Sequence, residues 1–235
     1  MKIKKVQGTI QSIHELSSTA HEVHISLDEA LDVVAGCFVN VFITIDGEVH
    51  RRAYSIASDC DIKKEIQLAI RHKEGGTVSS QFWARDIIGT RLQIMGPLGL
   101  NTIDKMQSER VFLIGYGIGV SVIKSLMHSV IKNPNIKEIH IIMGCKDEGE
   151  MLYKDFFTQH EAADSRVTTR FVLSKSNDKS YPYIGFVQGY ISDYYFNNAD
   201  VYICGQTIAC NAAKSAILAQ SNGGDSIQFF IEDFH

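Results

Sequence analysis

The chain has 235 residues, and with 45% of them hydrophobic it can bury a proper core, as one large domain or two small ones, which argues against disorder. A net charge of -4 without a basic run argues against a nucleic-acid footprint, and no apolar window approaches the length of a membrane span. The opening MKIKKVQGTIQ lacks the apolar stretch of a secretory signal, so the expectation is a soluble cytoplasmic protein.

Up to about Leu100 the chain reads as short alternating or apolar runs: KVQGTIQSI, EVHISL, FVNVFITI, RAYSIAS, IQLAIRH and RLQIMG. Turn signals such as IDGE, KEGG and GPLG separate them, the pattern of a small antiparallel barrel. One helix is predicted inside this half, over Val78 to Ile88, with Phe82, Trp83 and Ile87 near one face and its start just after Gly76. His21 and His24 fall on a predicted strand and face opposite sides, which disfavours a shared metal.

From about Arg110 the rhythm changes. VFLIGYG, EIHIIMGC, TTRFVLS and DVYICG read as continuous apolar strands, alternating with the helical patterns VSVIKSLMHSVI, EMLYKDFFTQHEA and ACNAAKSAILAQ, and SIQFFIEDF is a last strand. Such alternation predicts a parallel sheet covered on both faces. The polar stretch Thr102 to Glu109 marks the boundary, giving domains at 1–101 and 109–235. The five cysteines are scattered and have no C-x-x-C spacing, so neither an iron–sulfur cluster nor a structural zinc is expected, and no metal site is assigned.

Three motifs carry chemistry. In RRAYSIAS, Arg51 to Ser58, strand alternation puts Arg52 and Tyr54 on one face and Ser55 on the other unless the strand bends. A guanidinium can grip a pyrophosphate as a fork, a phenol can lie against a flat ring, and a hydroxyl can reach a ring nitrogen, although an ordinary amphipathic strand would read the same way. EGGTVSS, Glu74 to Ser80, couples glycines to a helix start suited to an anion, or is simply a capped turn. In IGYGIGVSV, from Ile114, the glycines Gly115, Gly117 and Gly119 leave an apolar strand and enter a helix, where they can cradle a pyrophosphate.

In this order and spacing the residues resemble the ferredoxin-NADP reductase superfamily, whose flavin domain carries R-x-Y-S on one strand and G-x-x-S at a following helix start. Here these read Arg52-Ala53-Tyr54-Ser55 and Gly76-Thr77-Val78-Ser79. The resemblance, which covers nearly the whole chain, implies an FAD-binding antiparallel barrel followed by an α/β nucleotide-binding domain. It implies that Arg52 and the amides of Val78 and Ser79 hold the FAD pyrophosphate, that Tyr54 packs on the flavin ring and that Ser55 reaches flavin N5. Ala69, Ile70 and Arg71 resemble the strand whose backbone reads the ring edge, and Gly96 to Gly99 is similar to the barrel-closing turn.

The family's nucleotide loop usually reads G-x-G-I-x-x-x-P, with Val122 here in place of Pro; C-G-P-x-x-M reads Cys204-Gly205-Gln206-Thr207-Ile208-Ala209, without the Pro and Met. By resemblance, Cys204 lies beside nicotinamide C4, although a small buried residue at a strand end would fit the same position. Ser174 and Lys175 are placed to grip a 2′-phosphate, with Tyr181 or Tyr183 to stack on adenine, so NADPH is expected ahead of NADH. Phe234 is the candidate aromatic over the flavin, or a core aromatic of the last strand. The implied activity is an FAD-dependent reductase that moves hydride from NAD(P)H to FAD and electrons on to a separate acceptor, a ferredoxin, flavodoxin or oxygenase component. The alternatives are a free flavin or ferric reductase and a flavin-binding relay subunit without nicotinamide chemistry.

Overall fold

The computed structural model describes residues 1–221 and 226–234. Six strands, β1 (Lys4–Ser17), β2 (Ala20–Leu27), β3 (Phe38–Ile45), β4 (Glu48–Ser55), β5 (Glu65–Arg71) and β6 (Arg91–Leu98), form one antiparallel sheet in the order β4-β3-β6-β1-β2-β5. It curls until Ile56, just past β4, forms an isolated bridge to Leu68 of β5, so the sheet is a half-barrel rather than the fully closed barrel the sequence suggests. Alternation explains the curl: Val39, Val41 and Ile43 of β3 point inward with Val23 and Ile25 of β2, Leu68 and Ile70 of β5 and Ile94 of β6.

The helix predicted over Val78 to Ile88 is two short turns instead, α1 (Thr77–Gln81) and a 3-10 turn over Arg85–Ile87, with Ala84 extended between them. Packing overrides helical periodicity here. Phe82 and Ile87 both drop into the barrel core, while Trp83 stays at its margin and stacks on His21 with ring centres 3.9 Å apart.

The second sheet is parallel, with strands β7 (Arg110–Tyr116), β8 (Glu138–Cys145), β9 (Val167–Leu173), β10 (Ala199–Gln206) and β11 (Ile227–Phe234) in the order β11-β10-β7-β8-β9. Helices α2 (Val120–Val130) and α3 (Lys154–Ala163) cover one face and α4 (Thr207–Gln220) the other, which is why the central strands read as unbroken apolar runs. The winding reverses between β7 and β10, and crevices at the carboxyl ends of strands form at such reversals.

Charged side chains tie the two sheets together. Lys124 of α2 is buried against the barrel, its ammonium 2.9 Å from Glu22 Oε2 and 2.8 Å from Gln67 Oε1, over the Tyr153 ring at 4.7 Å. Burial pushes the Glu22 carboxyl up, but Lys124 outweighs it and holds the group below its usual range. Removing either partner would strand a buried charge, at about 3–5 kcal/mol. In the connecting stretch, the buried Asp200 carboxylate accepts hydrogen bonds from the amides of Gln107 and Ser108 at 2.6 and 2.7 Å, which anchors the crossing to β10.

Candidate functional site

The sheets meet around a cavity of about 490 Å³. β4 brings Ala53, Tyr54 and Ser55 to it, β5 brings Ala69 and Arg71, the turn after β7 brings Ile118 and Gly119, and β11 brings Glu232, Asp233 and Phe234. Small side chains at 53 and 69 leave room, and the Tyr54 ring walls one side, set edge-on against Phe82. Burial pushes the Tyr54 phenol up to about 12, so it is neutral at physiological pH.

Seven of the sequence-predicted residues therefore converge: Ala53, Tyr54, Ser55, Ala69, Arg71, Gly119 and Phe234. Ile70, between Ala69 and Arg71, turns its side chain into the barrel core and can offer only backbone to this strand's outer face. Arg52 is exposed just outside the cavity and donates to the Arg51 carbonyl at 2.8 Å, which leaves most of its fork free. Arg71 lies 2.5 Å from Thr19 Oγ1 of its own half and reaches across to the other half, 2.7 Å from Glu150 Oε2.

At the start of α1, Gly76 is needed for space: a Cβ there would lie 2.6 Å from Ser79 Oγ and 2.8 Å from the Lys73 carbonyl. Thr77 and Ser79 stand at the surface end of this turn and Val78 is buried beneath it. Ser79 Oγ accepts from the Lys73 amide at 3.1 Å, so its hydroxyl is spent on the loop and its own amide is what it could present.

The glycine turn after β7 is packed against the end of β10. A Cβ on Gly119 would sit 2.6 Å from the Cys204 carbonyl oxygen, and Gly117 adopts φ +52. Gly115 serves packing, since a Cβ there would meet Ile123 at 3.0 Å on α2. Gly205 has φ +152, which excludes other residues without strain.

Cys204 is fully buried and burial pushes its thiol well up, so the group on its row that faces the cavity is Glu232, its register partner on β11. Glu232 escaped the sequence reading because only strand register reveals that an acid near the end of an apolar run lies beside Cys204. Ser55 Oγ donates to Glu232 Oε1 at 2.5 Å and Tyr202 Oη donates to Oε2 at 2.9 Å. Burial pushes this carboxyl above its ordinary value, and the two donors oppose that shift by holding the charged form.

Ser174 and Lys175 lie on the loop just past β9, away from the cavity and at the same carboxyl edge of the sheet. No acid ends β9 itself, yet the fold brings Glu148 there from the turn after β8, where the Ser176 hydroxyl donates to it. Tyr181 donates to the Phe171 carbonyl at 2.9 Å, and the Tyr183 ring lies 4.3 Å from the Arg170 guanidinium carbon. Elsewhere, Asp59, Cys60 and Asp61 bring ligand atoms within 4.8 Å of one another, but Lys132 sits on both carboxylates at 2.7 and 2.6 Å.

Residues 7–102 match the family model for an oxidoreductase FAD-binding domain and residues 113–214 that for an oxidoreductase NAD-binding domain. The chain is 27% identical over 222 residues to the phenol hydroxylase P5 protein of Acinetobacter pittii, covering 92% of this chain and 62% of that protein. It is 27% identical over 179 residues to ferredoxin–NADP reductase B of Sorangium cellulosum, covering 73% of each. Among solved structures, the Amycolatopsis cytochrome P450 reductase GcoB superposes with a TM-score of 0.85 at 20% identity, over 98% of this chain and 71% of that one. The chain thus spans less than two thirds of the phenol hydroxylase relative. Among the described residues no helix is long and apolar enough to cross a membrane.

Proposed function

The chain belongs to the ferredoxin-NADP reductase family of FAD- and NAD-binding oxidoreductases, and on that premise we propose that it passes electrons from NAD(P)H through FAD to a separate acceptor. The observation that carries this reading is the chain of groups Ser55–Glu232–Tyr202, which joins the two sheets at the wall of the shared cavity. The cavity lies within the usual range for a cofactor site, roughly 300–1,000 Å³, and its lining of three aromatic rings (Phe38, Tyr54 and Phe234), two alanines and the hydroxyls of Ser55 and Ser121 suits a flat ring with polar edges. FAD, when bound, supplies the chemistry by accepting two electrons and releasing them singly.

Within that reading, Arg52 and the amides of Val78 and Ser79 hold the pyrophosphate, and Tyr54 and Phe234 border the ring. Ser55 directs its one proton to Glu232 and so presents oxygen lone pairs toward the ring edge; Glu232 orients that hydroxyl while Tyr202 fixes the carboxylate's other oxygen. Gly117 and Gly119 receive the nucleotide pyrophosphate, and the bare Gly205 leaves room for Tyr116 beside that turn. Residues 1–101 act as the FAD domain and 109–235 as the nucleotide domain. Ser174 and Lys175 favour a 2′-phosphate and Glu148 opposes it; we retain NADPH, through Lys175, as the preferred donor.

The relatives named above support an acceptor that is a separate oxygenase, ferredoxin or cytochrome component rather than a small molecule. The test is anaerobic addition of NADPH or NADH to FAD-loaded protein, followed by a panel of acceptors. Bleaching of the flavin and turnover with a protein acceptor support the proposal. A flavin that stays oxidised in both nucleotides refutes it and leaves the relay-subunit reading; turnover with free flavin or ferric iron alone refutes the protein acceptor.

A further inference from the structure

Tyr116 ends β7, in register with Gly144 near the end of β8 and one residue past the last β7–β10 pair, Gly115 with Cys204. Its ring lies across both glycines. A Cβ on Gly144 would fall 2.5 Å from Tyr116 Cδ1, and a Cβ on Gly205 would fall 2.5 Å from Tyr116 Cβ and 3.2 Å from Cδ2. The neighbouring strands are thus bare where the ring rests. The seat is polar-poor: the ring packs against the cluster that contains Val187 and Cys210, and among the described residues its hydroxyl is buried without a hydrogen-bond partner. A buried hydroxyl in that state costs stability, and the chain retains it.

The location gives this a consequence. Strand order places β8 between β7 and β9, so a dinucleotide with its pyrophosphate on the Gly117–Gly119 turn and its adenosine ribose at Ser174 must cross the end of β8. The Tyr116 ring lies over that end. We propose that Tyr116 gates entry of the pyridine nucleotide without distinguishing NADP⁺ from NAD⁺: the seated ring closes the crossing, and binding requires it to leave Gly144 and Gly205. Its hydroxyl, unpartnered in the seat, regains partners on leaving, which keeps the closed state only moderately favoured. This inference rests on the nucleotide-binding reading above.

The test is calorimetric titration of FAD-loaded protein with NADP⁺ and, separately, NAD⁺, together with thermal unfolding of each variant. Tyr116→Ala removes the ring and should tighten both nucleotides by about tenfold, because the competent state no longer has to be selected from a minor population. Tyr116→Phe removes only the unpartnered hydroxyl, favours the seat, and should weaken both by about fivefold while raising the melting temperature. Opposite signs for the two variants, equal for the two nucleotides, are what a purely structural tyrosine would not produce. Unchanged affinities in both variants, or tighter binding by Tyr116→Phe, overturn the proposal. If neither the parent nor Tyr116→Ala binds either nucleotide while FAD stays bound, the nucleotide reading itself fails, and the gate with it.

Discussion

Removing one hydroxyl tests the centre of the site. Ser55 belongs to the barrel and Glu232 to the last strand of the parallel sheet, so the 2.5 Å bond between them is both part of the cavity wall and a tie between the halves. In Ser55→Ala, Oε1 loses its donor while burial continues to disfavour the carboxylate, and only Tyr202 remains to hold the charge. A hydrogen bond to a charged group is worth about 1.5–3 kcal/mol, so a wholly transition-state role would slow flavin reduction by about 10- to 150-fold. Stopped-flow bleaching at saturating NADPH measures this, with FAD affinity titrated separately and expected to change little.

The same variant has a defined pH signature. The folded-state pKa of Glu232 lies above its ordinary value, so its contribution to stability is complete below the unfolded pKa and is lost as pH rises through the folded one. Without Ser55 the pKa moves further up, because a group that favoured the charged form has gone. The melting-temperature deficit of Ser55→Ala should therefore be small at pH 5 and larger at pH 8, where the carboxylate must charge without its donor. A parent-like reduction rate, or a deficit independent of pH, would refute the assignment of Ser55 and Glu232 as an interacting pair at the reacting edge.

Arg52→Ala should weaken FAD by about 10- to 150-fold, the loss of a charge-assisted contact of about 1.5–3 kcal/mol, read by fluorescence titration; unchanged affinity would place the pyrophosphate elsewhere. Lys175→Ala should raise the apparent constant for NADPH by about five- to thirtyfold and leave NADH nearly unaltered, and equal losses for both would assign the lysine a structural role. Gly119→Ala meets no backbone penalty at φ -61, so its cost is steric: the new methyl falls 2.6 Å from the Cys204 carbonyl oxygen, and overpacking of about 1–3 kcal/mol should lower both melting temperature and NADP⁺ affinity. A parent-like Gly119→Ala would mean that the turn and β10 are not held in contact.

Local pattern was enough to determine the elements of this protein. Period-two alternation in FVNVFITI and unbroken apolar runs such as VFLIGYG state which strands have one wet face and which have none, and those facts alone separate a barrel from a covered parallel sheet. The glycine turn and RAYS were legible for the same reason, since their chemistry is carried by consecutive residues. The short turns at Thr77–Gln81 and Arg85–Ile87 were misread as one helix because Trp83 and Ile87 satisfy i, i+4 spacing with Phe82 beside them, whereas the barrel core takes both Phe82 and Ile87, five residues apart, which one straight helix would point to different sides. What only the tertiary structure decided are the pairings across long separations: Glu232 on Ser55, Glu150 on Arg71, Glu148 on Ser176, and Tyr116 across Gly144 and Gly205. Each depends on strand order and register, which follow from burial summed over the whole chain, and no window of neighbouring residues contains that sum.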